Sequence, residues 1–184
     1  LLQSSAASDV YKRQIHGFCN NAAASSGLGE LHTFSNTNFD KTLDLSFKML
    51  WLSLKCEIQY LTEQSLTASI VNISSNAALR GYANNSIYAA SKAAVNSLTL
   101  SAAKELGKKN IRINAISPGT ILTPGVENYF KQEPNAEDYL KSSILLNRIG
   151  TPEDIGNAVS FLLSEDSKYI HGQVISIDGG SSIY

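Results

Sequence analysis

The run Ile70-Val71-Asn72-Ile73-Ser74-Ser75-Asn76-Ala77-Ala78-Leu79-Arg80-Gly81-Tyr82-Ala83-Asn84-Asn85-Ser86-Ile87-Tyr88-Ala89-Ala90-Ser91-Lys92 decides how the chain is read. Its opening is almost continuously apolar, the character of a parallel strand covered on both faces, so a strand is expected over 69–74. Its end enters a stretch rich in alanine (Ala89, Ala90, Ala93, Ala94, Ala102, Ala103), which strongly favours helix. Ser86 is expected to cap that helix, which runs from Ile87 to Leu106 with Gly107 as its stop. Tyr88 and Lys92, one turn apart, then share a face. Ser75 stands at the end of the strand. A hydroxyl, a phenol and an ammonium brought together can move a proton to or from a carbonyl oxygen. A free tyrosine, with a pKa of about 10, is a poor base at neutral pH. A neighbouring cation favours the phenolate, and a catalytic group works best when its pKa lies near the working pH. Lys92 is placed to supply that cation, and Ser75 to hold a substrate oxygen. In a chain with 8 Tyr the Tyr-x-x-x-Lys pair is weak by itself. The specificity must come from its surroundings.

Working outward, strands and helices alternate. Ile15 to Asn20 is a short apolar strand, followed by loop from Ala24 to Asn36. Phe39, Leu43, Phe47, Leu50, Leu54, Ile58 and Leu61 recur every three or four residues, which predicts a long helix over Asn38–Gln64. Met49 and Trp51 on the same helix either widen its stripe for a partner helix or, the reading favoured for each taken singly, pack in the core. Ile111 to Ile116 is a strand. Pro118 to Asn147 is a long connection with a short helix near Ala136–Ser143. Thr151 caps a further helix, with Pro152 at its first position and Asp154 three residues after the cap, ending near Leu163. Val174 to Ile177 is the last strand. The alternation implies an α/β, doubly wound parallel sheet.

Around the opening run, five segments in order resemble the classical short-chain dehydrogenase/reductase family. They are Cys19-Asn20-Asn21-Ala22-Ala23, the Ser75–Tyr88–Lys92 segment, Ile111 to Thr123 with its Ser117-Pro118-Gly119 turn, Arg148 to Ile155, and Gly172 to Gly180. The resemblance implies a Rossmann-like fold and an oxidoreductase using NAD or NADP on a ketone or secondary alcohol. It implies Tyr88 as acid/base, and Lys92 as the group that lowers the phenol's pKa and holds the nicotinamide ribose. Ser75 fixes the substrate oxygen. Asn21 and Ala22 line the cofactor's ribose, and Gly119, Ile121 and Thr123 contact the nicotinamide end. It also implies a homo-oligomeric parent, a dimer or tetramer built through the two long helices. Asn72 and Asn114 are expected to be structural, tying backbone groups between strands. One departure stands out in Asp44-Leu45-Ser46-Phe47-Lys48-Met49. Ser46 occupies the place of an asparagine that in many members holds a water of the proton relay, and Met49 replaces a glycine.

The resemblance implies a small-molecule carbonyl or alcohol as the partner, and composition gives no reason to expect another. The 184 residues suffice for one domain, and a net charge of −1 offers no reason to expect nucleic acid or an anionic membrane. Cys19 and Cys56 have no metal-site spacing, and reduced thiols fit a cytoplasmic setting. The scattered His16, His32 and His171 give no metal centre. Residues 1–14 read as a non-native, adapter-like leader without signal-peptide character. No glycine-rich turn precedes Asn20, so residues 15–184 are expected to be the C-terminal part of a single domain that lacks its first three βα units. Such a fragment is expected to be inactive and to expose a strand edge. The alternative to an enzyme is a non-catalytic binding or partner subunit of the same fold.

Overall fold

Four parallel strands carry the molecule: β1 (Gly17–Asn20), β2 (Ala68–Ile73), β3 (Ile111–Pro118) and β4 (Val174–Ile177), side by side in chain order. They were obtained in a computed structural model that describes residues 14–183. Apart from Gln14, the expected leader lies outside the described residues. The crossovers are helical. From β1 the chain passes through α1 (Asn36–Leu43), a wider π-helical turn over Asp44–Lys48 and α2 (Met49–Glu63), all one continuous rod. Between β2 and β3 runs α3 (Ser86–Leu106), and β3 leads through α4 (Pro124–Gln132), α5 (Ala136–Ser142) and α6 (Pro152–Leu163) to β4.

Every residue of β2 is buried, as its unbroken apolar run requires when helices cover both faces. Alternate residues divide the core. Ile70, Ile111 and Ile113 pack with Leu50, Leu54 and Leu61 of α2 and with Val95 and Leu106 of α3. Val71, Ile73 and Ile116 pack on the opposite side with Leu162 of α6. Each buried aliphatic side chain contributes about 1.5–3 kcal/mol. Asn72 and Asn114 are wholly buried and satisfied: Asn72 Nδ2 donates to Thr99 Oγ1 (2.9 Å) and Asn114 Nδ2 to Ile170 O (3.0 Å), as expected of structural asparagines. The capping box of α6 is present, with Thr151 Oγ1 accepting from Asp154 N and Thr151 N donating to Asp154 Oδ2.

Several local expectations are corrected. The long helix starts at Asn36, capped by Ser35, and Phe39 lies outside its buried face while Thr42 and Ser46 lie inside. The π turn is the cause. It fits an extra residue into the helix, so the inward positions run Thr42, Ser46, Leu50, Leu54 instead of following the apolar spacing. Met49 and Trp51 are on the surface, where Lys55 Nζ sits 5.8 Å from the indole. The Ser86 hydroxyl does not cap α3. Ser86 is already its first residue, and Asn85 precedes it without a side-chain cap. Gly107 follows the last residue of α3 as expected, but with φ −56° it leads into a tighter turn, and the left-handed position falls at Asn110, φ 56°. Helix α4 lies within the stretch expected to be connection. No helix among the described residues is long and apolar enough to cross a membrane.

Candidate active site

Parallel strands put all their carboxyl ends on one side of a sheet, where such folds bind ligands. The registers Asn20↔Asn72, Ile73↔Ile116 and Pro118↔Ile177 therefore align Asn21, Ser75, Gly119 and Asp178 along that side. Ser75 follows β2 in extended backbone (φ −164°, ψ 152°), and its Oγ accepts from Ala77 N at 3.1 Å, opening a tight turn over Asn76–Ala78. The next helix returns Tyr88 and Lys92 to the same strand end. Lys92 is only 2% exposed; its Nζ donates to Ile73 O at 2.7 Å and lies 5.9 Å from the centre of the Tyr88 ring. Serine hydroxyls fasten the helix backbone here, Ser74 Oγ donating to Lys92 O at 3.1 Å and Ser91 Oγ to Tyr88 O at 2.7 Å.

Electrostatics here follow burial. Loss of water brings the Lys92 ammonium down to a pKa of about 8. Burial raises the Tyr88 phenol, and the neighbouring Ser75 hydroxyl pulls it back down. In this arrangement burial, and not the ammonium, sets the direction for the phenol. The trio is thus a proton donor, a hydroxyl partner and a cation side by side, with the cation withdrawn from water.

The remaining sequence-predicted residues fall as follows. Asn21 and Ala22 are exposed just beyond β1. Gly119 N donates to Ile177 O at 3.0 Å, and a Cβ there would come within 2.8 Å of Asp178 Cα, so glycine is needed for the turn to lie against the end of β4. Ile121 bridges Gly150, and Thr123 Oγ1 accepts from Val126 N at 3.4 Å as the cap of α4. A cavity of about 480 Å³ flanks this turn, lined by Thr120, Ile121, Leu146 and Gly179 among others, and does not reach Ser75 or Tyr88. Ser46 is buried, and its hydroxyl is committed: it donates to Ala24 O at 2.6 Å and accepts from Ala24 N at 3.2 Å. It ties the loop after β1 to the π turn.

Two features escaped the sequence. The Arg80 guanidinium donates to Ser181 O at 2.7 Å and lies over the Tyr82 ring, while Asn76 Nδ2 donates to Ser181 Oγ at 3.1 Å. The loop after Ser75 is thereby fastened to the segment after β4. Glu57, on the helix behind β1, is buried at 7% exposure, and its Oε2 accepts from Asn20 Nδ2 at 3.0 Å. Burial lifts its carboxyl to a pKa of about 7, against the pull of the Asn20 bond. A lone Glu within an apolar stripe carries no signal of such burial.

A family model described as enoyl-(acyl carrier protein) reductase matches residues 4–182. Levodione reductase of Leifsonia aquatica is 38% identical over 174 residues, covering 92% of this chain and 65% of that protein. The 3-oxoacyl-[acyl-carrier-protein] reductase FabG of Thermotoga maritima is 39% identical over 143 residues, 78% of this chain and 56% of the relative. Among solved structures, ElxO with NADP bound superposes with a TM-score of 0.87 at 32% identity over 93% of this chain and 68% of its own. The crystal structure of levodione reductase gives 0.85 at 38% identity, over 92% and 67%. The chain spans 65% and 56% of the length of the two curated relatives.

Proposed function

The chain belongs to the short-chain dehydrogenase/reductase family, and from that premise we propose that it is the acid–base part of an NAD- or NADP-dependent oxidoreductase acting on a ketone or secondary alcohol. One observation carries the proposal: Ser75, Tyr88 and Lys92 converge at the carboxyl end of β2 in a site withdrawn from water. In carbonyl reduction Tyr88 donates its phenolic proton to the substrate oxygen. Ser75, whose Oγ is fixed by the bond from Ala77 N and keeps its own O–H as a donor, gives a hydrogen bond to that oxygen and holds it beside the phenol. Lys92 stabilises the negative charge that develops on the phenol as its proton leaves, an effect strengthened by burial. In alcohol oxidation the phenolate takes the proton back.

When bound, the nicotinamide dinucleotide supplies the hydride. The donor set fits its ribose end: Lys92 Nζ has further N–H groups beyond the one given to Ile73 O, the Tyr88 hydroxyl is adjacent, and Asn21 and Ala22 are open on the same side of the sheet. The NADP in ElxO supports the same cofactor class. The test is nucleotide oxidation followed at the NADH or NADPH absorbance with a panel of cyclic and β-keto substrates, in the chain with whatever residues its gene encodes upstream. Tyr88→Phe is expected to lower turnover by about 10²–10⁴-fold with nucleotide binding intact, the range for a lost general acid. Undiminished turnover in that variant, or no binding of either nucleotide, refutes the proposal.

A further inference from the structure

A polar chain crosses the core behind β1. Glu57 of α2 accepts from Asn20 Nδ2 (3.0 Å), the same amide donates to Asn72 Oδ1 (3.0 Å), Asn72 Nδ2 donates to Thr99 Oγ1 (2.9 Å), and Thr99 Oγ1 donates to Val95 O (2.8 Å). Both hydrogens of the Asn20 amide are thus used, one on a strand and one on a carboxylate. Asn20 is the last residue of β1, and Asn21 and Ala22 leave directly from it. A cavity of about 180 Å³ lies against this junction, with Cys19, Asn21, Ala22, Met49, Ser53 and Glu57 in its wall.

The geometry points to Glu57 as a positioning residue for the dinucleotide-facing segment Asn21–Ala22: as a carboxylate it clamps Asn20 and thereby the exit of β1, and protonation loosens the clamp and weakens dinucleotide binding. The inference rests on the functional reading above. A carboxylate accepts from the amide with full charge. A carboxylic acid offers only its neutral carbonyl oxygen and adds a hydroxyl that needs an acceptor of its own. The change falls near neutral pH because the carboxyl is buried and only Asn20 favours its charge. The titratable groups facing it are the Cys19 thiol of β1, itself pushed up by burial and by Glu57, and, in the cavity wall, Cys56 of α2. Asn72 of β2 and Thr99 of α3 complete the chain without charge, and the described cavity wall holds no Lys, Arg or His.

Two measurements test it. In the first, the Asn20 side-chain amide and the Asn21 and Ala22 backbone amides are followed by NMR from pH 5.5 to 8.5, without nucleotide. In the wild type they titrate together with the Glu57 carboxyl, and in Glu57→Gln, which keeps an acceptor oxygen but no charge, they stay flat. In the second, NADH affinity is measured across the same range. Exchanging a charge-assisted bond for a neutral one shifts the wild type by about 5-fold, tighter at high pH, and the shift vanishes in Glu57→Gln. Amides that are flat in the wild type, or that titrate identically in the variant, overturn the inference even if the variant folds poorly, because the wild-type series stands by itself. An affinity shift that persists in Glu57→Gln overturns it as well. Failure to bind either NADH or NADPH at any pH refutes the proposed function, while the NMR series still decides the role of Glu57.

Discussion

Replacing Lys92 by methionine is expected to remove activity and to change how stability responds to alkali. Lys92 is 2% exposed, and burial takes its pKa from 10.5 to about 8. Between those values the unfolded chain holds a proton that the folded chain has given up, so stability rises with pH across this window. Below pH 8 both states are protonated and the cost of burying the ammonium is present in full. With about 1.4 kcal/mol per pKa unit, the relief from pH 8 to pH 10 is about 2 kcal/mol. Tyr88 opposes this only above its ordinary value of 10.0, because its raised pKa makes the folded state hold a proton longer. The measurement is urea unfolding at pH 7, 8, 9 and 10 for wild type and Lys92→Met, which preserves an unbranched chain without charge. The difference between the two should be constant from pH 7 to 8. It should then shift by about 2 kcal/mol in favour of the wild type by pH 10. Parallel curves throughout would show that the ammonium is hydrated in the folded state and that burial does not govern the site.

Glu57 gives the mirror image. Its raised value, about 7 against 4.5, makes the folded state hold a proton that the unfolded state has lost. From pH 5 to 8 the wild type should therefore lose about 2–3 kcal/mol relative to Glu57→Gln, read by the same unfolding series. Ser46→Asn, which restores the more frequent family residue, should destabilise by about 1–3 kcal/mol, because it adds volume at a wholly buried position and breaks the Ala24 bonds; thermal melting checks it. Thr151→Ala should cost about 1 kcal/mol by removing the cap of α6, measured in the same melts. Arg80→Ala should loosen the segment after β4, seen as faster amide exchange at Ser181 and Ser182, while Lys92 retains its bond to Ile73.

Much of the fold was legible because its signals were local. The apolar run at Ile70–Ile73 announced a covered parallel strand, Thr151-Pro152 with Asp154 announced a helix start, and the Tyr88–Lys92 spacing announced a shared face. Thr123-Pro124 carries the same start signal, and α4 begins there inside the stretch expected to be connection. What stayed hidden depends on tertiary contact. Nothing in Asp44–Lys48 marks a wider turn, since the same residues form ordinary helix elsewhere; the loop bonds of Thr42 and Ser46 accompany it. A glutamate among leucines reads as a solvated face until an asparagine from another strand meets it. The Ser75–Tyr88–Lys92 site was visible as a set of residues, but the direction of its proton affinities follows from burial, which only packing decides.

The π turn also has a meaning for chain length. Removing a single residue from Asp44–Lys48 would return the rod to regular pitch and leave both flanks facing as they do, because the π turn holds one residue more than a regular turn. The same deletion within α2 would instead turn everything before it by about 100°, swing Thr42 away from Ser26 and cost the loop beyond β1 its anchors. The π turn is thus the place in the rod where the loss of one residue is best absorbed.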